Sequence, residues 1–174
     1  MYSFPIWRRA PFIALLIIVI VISYAPATTQ GTATLRLSTL SAPGIVNHIY
    51  VEVSSIGLHQ QGYPNSTGWV TVSQSFPVID LLSSANQSTS QSIASANIHS
   101  GRYDMVKIFF TNSTVVIDGV RTAIAGPSSL SLSVTMLVSP NGIGDLFLLV
   151  AFDYAEILAS PPYLSFVLIR VNSV

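Results

Sequence analysis

Residues 113–124, Ser-Thr-Val-Val-Ile-Asp-Gly-Val-Arg-Thr-Ala-Ile, decide the fold class. Two β-branched runs, Ser113 to Ile117 and Val120 to Ile124, are separated by Asp118 and Gly119 alone. A two-residue hairpin turn of type I′ needs positive φ at both central positions, which Gly adopts freely and Asp tolerates, so the stretch reads as a β-hairpin.

The same alternation of short apolar runs with Gly, Pro, Asn, Asp or Ser extends outward in both directions. Upstream, Tyr103 to Thr111 is a further strand. Thr32 to Leu40 places Ala33, Leu35 and Leu37 on one face and Thr34, Arg36 and Ser38 on the other, the period of two of a half-buried strand. Ile49, Val51 and Val53 alternate likewise, and Ile56 and Leu58 resume the apolar face only if one residue is absorbed near Ser54-Ser55, so a bulge is expected there. Trp69 to Val72 answers that strand across the Gly62–Gly68 loop, and Phe76 to Leu82 continues it. Ser83 to Asn97 has almost no large apolar side chain and is expected to stay a mobile loop. Downstream, Leu130 to Val138 alternates, Pro140-Asn141-Gly142 turns, Leu146 to Phe152 is apolar on both faces as in the centre of a packed sheet, and Tyr163 to Val171 is the last strand. Eight to nine strands with turns every 8 to 12 residues predict an all-β, antiparallel sandwich, with Leu35, Val51, Val106, Leu148 and Phe152 facing its core.

Ahead of this domain, Met1 to Ala27 has the layout of a targeting segment. Arg8 and Arg9 precede an unbroken apolar run from Phe12 to Ile22, and Ala25 and Ala27 stand in the A-x-A positions before a cleavage site. The run is shorter than the roughly 20 residues a spanning helix needs, which favours cleavage after Ala27 over retention as an anchor helix. A twin-arginine signal and a pilin-type leader fit less well, because Pro11 follows the arginines closely and Pro26 stops the helix early. The chain therefore divides into a leader, residues 1–27, and a single sandwich domain, residues 31–174. The expected location is extracellular or at the cell surface, with membrane contact only through an uncleaved leader.

Composition removes several functional classes. The 174-residue chain is 50% hydrophobic and 8% charged, with seven Lys and Arg against seven Asp and Glu. Lys107 is the only lysine, so no basic stripe exists to neutralise phosphates, and nucleic acid is not a partner. With no cysteine there is no disulfide, thiolate metal site or lipidated thiol.

The quoted residues also carry a family resemblance, from Gly31 to Val171. Leu35-x-Leu37 with Ala42-Pro43, Val51-x-Val53-x-x-Ile56-x-Leu58-His59, Gly68-Trp69, Asp80-Leu81-Leu82, Gly101-x-Tyr103-x-x-Val106-x-Ile108, Gly126-Pro127-Ser128 and Phe152-Asp153 follow the order and spacing of the family called domain of unknown function 4382. The chain departs from it at Ser41, where the family commonly has Asp, and in lacking a lipobox cysteine. The resemblance implies an all-β domain of bacterial lipoproteins or archaeal surface proteins, and no established activity.

Chemistry-bearing residues are sparse. Asp153 and Glu156 could serve acid/base work or Ca²⁺, but Asp-x-x-Glu before Ile157 is also a capping box for one helical turn, which explains the spacing fully. His48, His59 and His99 form no local metal-binding pair and are expected to be solvated or locally hydrogen-bonded. There is no Gly-x-Ser-x-Gly elbow, and Gly142-Ile143-Gly144 reads as a turn. No catalytic, cofactor-binding or metal residue is assigned and no cofactor is expected. Tyr63 and Trp69 flank a polar loop and could stack on sugar rings, although Trp69 is expected in the core and Tyr63 in the loop. Asn65, Asn86 and Asn112 open Asn-x-Ser/Thr sequons, read as possible glycosylation sites in loops. The reading is an exported structural or adhesion domain without enzymatic activity, its partners surface glycans or other surface subunits. A carbohydrate- or ligand-binding module is the alternative, and a hydrolase with a dispersed site ranks third.

Overall fold

A computed structural model describes residues 30–73, 78–83 and 90–173. The leader with its cleavage site at Ala27, and the Asn86 sequon, lie outside the described residues. The strands are β1 (Gln30–Thr39), β2 (Val46–Gln60), β3 (Trp69–Ser73), β4 (Val78–Asp80), β5 (Gln91–His99), β6 (Gly101–Ile117), β7 (Val120–Ala123), β8 (Ser129–Val138), β9 (Ile143–Phe152) and β10 (Phe166–Ser173). One helical turn, α1 (Tyr154–Ile157), sits between β9 and β10.

They form the expected two-sheet, all-β architecture. The smaller sheet runs β10-β9-β1-β5; the larger has β2 and β6 at its centre, with β3 and β4 on the outer side of β2 and β7 and β8 on the outer side of β6. Leu35, Val51, Val106, Leu148 and Phe152 are buried between the sheets, as their alternation predicts. The interior is filled by side chains: an apolar space of about 20 Å³ beside Val51 and Phe152 has room for no more than about one water molecule.

Local expectations hold where the signal is local. Asp118 (φ 47°) and Gly119 (φ 78°) make the tight turn, with Ile117 paired to Val120. The register of β2 against β6 shifts between Val53 and Ser55, absorbing Ser54 and returning Ile56 to the core. On α1, Asp153 Oδ1 accepts from the Ala155 N–H at 3.0 Å. The box is half made, since the Asp153 N–H donates instead to the Ser165 carbonyl at 3.2 Å.

Three expectations need correction. The pairing is not wholly antiparallel: β1 lies parallel to β9, Leu35 opposite Leu146, because the chain between them crosses to the larger sheet and back instead of turning in a hairpin. Residues 83–97 are not one loop, since Gln91–His99 is an edge strand paired to β1 from His99 opposite Gln30 to Gln91 opposite Leu37. An edge strand needs only one buried face, and Ile93, Ala94 and Ile98 supply it. Finally, Tyr103 to Ile117 does not break at Asn112, which lies inside the continuous strand β6 opposite Glu52.

Candidate functional site

Along Trp69-Val-Thr-Val72 the two valines turn toward the core, so Trp69 and Thr71 project from the outer face of the larger sheet. Trp69 is half-buried there, not in the core as expected, and Tyr63 is an exposed loop residue as expected. The indole lies over Gly57 of the neighbouring strand; a Cβ on Gly57 would stand 3.3 Å from Trp69 Cε3. On the next strand Lys107 and the 38% exposed Phe109 form the facing wall, the ammonium 4.8 Å from the ring centroid. Gly57 thus floors a shallow recess of about 370 Å³, walled by Trp69, Thr71, Lys107, Phe109 and Asn65.

The loop between β2 and β3 fixes the indole. Trp69 Nε1–H donates to the Asn65 carbonyl at 2.8 Å. Gly68, at φ 76°, lets the chain close under Tyr63, where a side chain would meet Tyr63 Cβ at 2.5 Å. Beneath the loop stands His59, 1% exposed although it sits on the outward face of β2. Its Nδ1 is 2.6 Å from Asp104 Oδ1, its Nε2 is 3.1 Å from the Pro64 carbonyl, and its ring is 5.1 Å from the indole. The Asp104 hydrogen bond, helped by the Pro64 carbonyl, raises the His59 pKa above its ordinary value against the opposing effect of desolvation.

Of the motif pieces quoted above, Leu58-His59 and Gly68-Trp69 build this site. The sequence profile described as "Domain of unknown function (DUF4382)" matches residues 32–158. The chain belongs to this family. The DUF4382 match runs from β1 through α1 and stops before β10. No curated protein matches the chain. Among solved structures, a candidate cell-adhesion protein from Bacteroides fragilis is similar at 14% identity over 82% of this chain, with a TM-score of 0.32. A candidate cell-adhesion protein from Bacteroides ovatus is similar at 13% identity over 82% of this chain, with a TM-score of 0.23. The chain spans 46% and 44% of those two proteins.

Elsewhere on the DUF4382 domain the titratable residues are dispersed. His48 is bonded to Asp80 at 2.7 Å and stacks on Tyr50, whose ring also takes Arg121 at 4.9 Å. His48 and His59 lie at opposite ends of β2, and their partners are carboxylate and carbonyl oxygens. His99 is exposed, and its carbonyl accepts from the Tyr103 hydroxyl at 2.8 Å. Among the described residues no three His, Cys, Asp or Glu side chains converge on a metal-sized space, and no helix is long and apolar enough to cross a membrane. Asp153 is an exposed cap. Asn65 is exposed in the loop beside Trp69, whereas the Asn112 amide donates to Glu52 Oε2 at 2.7 Å from within a strand.

Two features of the site escaped the sequence reading. The outward direction of Trp69 was readable from Val70 and Val72, which claim the inward positions. The burial of His59 had no local signal, because Asp104, its partner, comes from another strand.

Proposed function

We propose that this chain is an exported, non-enzymatic cell-surface domain that adheres by taking a sugar ring against Trp69. The observation that carries the reading is the held, half-exposed indole over a glycine floor with Lys107 opposite. A pyranose offers an apolar face of C–H groups to an aromatic ring and hydroxyls around its rim, which Lys107, Thr71 and Asn65 are placed to bond. The shallow, open shape suits one or two units of a surface glycan. Export draws support from the Arg8-Arg9, Phe12–Ile22 and Ala25-x-Ala27 layout.

Binding to a panel of immobilised neutral and acidic polysaccharides tests the reading. Trp69→Ala should lose at least tenfold in affinity for whichever polysaccharide the wild type retains, and Trp69→Phe should keep part of it. Equal retention of wild type and Trp69→Ala overturns it. Mass spectrometry of the native protein should find Thr28, or a residue within a few positions of it, as the N-terminus; Met1 overturns the processing.

A purely structural subunit is the second reading, favoured by β5 and β10 standing at the two ends of the smaller sheet, each with one edge unpaired among the described residues. Sedimentation that shows concentration-dependent assembly, with no polysaccharide bound, would favour it.

A further inference from the structure

Both ring nitrogens of His59 face oxygen acceptors, and both distances are those of hydrogen bonds: 2.6 Å to Asp104 Oδ1 and 3.1 Å to the Pro64 carbonyl. A neutral imidazole has one N–H. Whichever nitrogen carries it, the other turns a lone pair toward an oxygen lone pair, on a ring that is itself shielded from water although Asp104 is exposed. Only the imidazolium satisfies both contacts. The Pro64 carbonyl is a fixed point of the loop, since it also accepts from the Thr67 N–H at 2.9 Å. The next residue, Asn65, supplies the carbonyl that holds the indole.

We infer that His59 and Asp104 are positioning residues for the recess: the imidazolium, bonded to Asp104 on one side and Pro64 on the other, clamps the loop whose Asn65 carbonyl orients Trp69, so that the recess is tight in mild acid and loosens as His59 gives up its proton. The groups facing His59 are accounted for by element. Asp104 on β6 is the charged partner; the Pro64 carbonyl and the Thr67 backbone from the loop, and the Trp69 indole on β3, are neutral. One carboxylate therefore sets the direction, and acid favours the clamped form. What the clamp serves rests on the sugar-binding reading; the clamp itself does not.

The test uses the full chain with Trp7→Phe, which leaves Trp69 as the sole indole. Acrylamide quenching of its fluorescence, measured from pH 5.5 to pH 8.5 without any sugar, reads how open the indole is. The quenching constant should rise at least twofold across that range in a single transition, with its midpoint above about pH 6.5, the value of a free histidine. In His59→Gln it should not change with pH. In Asp104→Asn, which keeps the side-chain shape and removes the charge, the transition should move to lower pH. A constant independent of pH in the wild type, the same rise in His59→Gln, or an unmoved transition in Asp104→Asn overturns the inference. None of these outcomes depends on a sugar, so loss of the clamp and loss of the binding reading are separately visible.

Discussion

The Trp69 indole lies over Gly57 of the adjacent strand: a Cβ on Gly57 would stand 3.3 Å from Cε3, closer than ordinary van der Waals contact, so any side chain there would push the indole off the sheet by a few tenths of an ångström. The missing side chain makes the recess. The packing of one strand and the shape of the candidate site are therefore a single feature.

Gly57→Val should fill the floor and tilt the indole outward. Affinity for a retained polysaccharide should fall at least tenfold, whereas stability should change by less than about 1 kcal/mol, because valine suits a strand and Trp69 has solvent to move into. Near-UV circular dichroism of the indole, set beside urea unfolding, separates the two effects. A variant that binds as well as the wild type would show that the recess floor is not used.

The raised pKa of His59 has a direct consequence for stability. A group whose folded pKa lies above its unfolded value binds its proton more tightly in the folded state, so its contribution is complete below about pH 6.5 and is lost as pH rises through the folded pKa. The melting temperature of the wild type, taken relative to His59→Gln, should therefore decline from pH 6 toward pH 8.5. A difference that stays constant or grows over this range contradicts the ion pair.

Phe152→Ala should cost about 3 to 5 kcal/mol. The ring is buried at the end of β9, 5.6 Å from Phe166 and 6.1 Å from Tyr154, so truncation removes contacts to the last strand and to α1 together. Urea unfolding followed by far-UV circular dichroism measures the loss.

Asp153→Ala should lower stability by about 0.5 to 2 kcal/mol, the range for a lost N-cap. The carboxylate makes a cap bond to the Ala155 N–H. Added Ca²⁺ should leave the melting temperature of wild type and variant unchanged. A Ca²⁺-dependent rise confined to the wild type would assign Asp153 to a metal.

These particulars show what was legible in the chain. Where a feature is encoded by neighbours in sequence it was readable: the Asp118-Gly119 turn, the absorbed residue at Ser54, the cap at Asp153. Where it depends on a partner supplied by another strand it was not. Gln91–His99 looked like solvent-exposed polar chain until β1 offered it a ladder, and the parallel β1–β9 pairing has no local signature at all. The site divides the same way. The residue type of Trp69 allows a sugar platform but reads first as core; its outward direction needs the valines beside it, and the His59 that its indole packs on is held by Asp104 from β6.

The parallel pairing of β1 with β9 bears on the order in which the protein can assemble. A chain emerging through a narrow exit, amino end first, presents β1 early, yet Leu35 must wait for Leu146 before its second neighbour exists. Until then β1 can pair only with β5, along one side. The smaller sheet is then extended strand by strand, β9 and lastly β10, so half of the sandwich stays open until nearly the whole chain has passed. Contacts this distant in sequence make closure slow. Under the export proposed above, late closure would be an advantage, since a chain whose smaller sheet needs β9 and β10 could not lock shut before its last strands had passed.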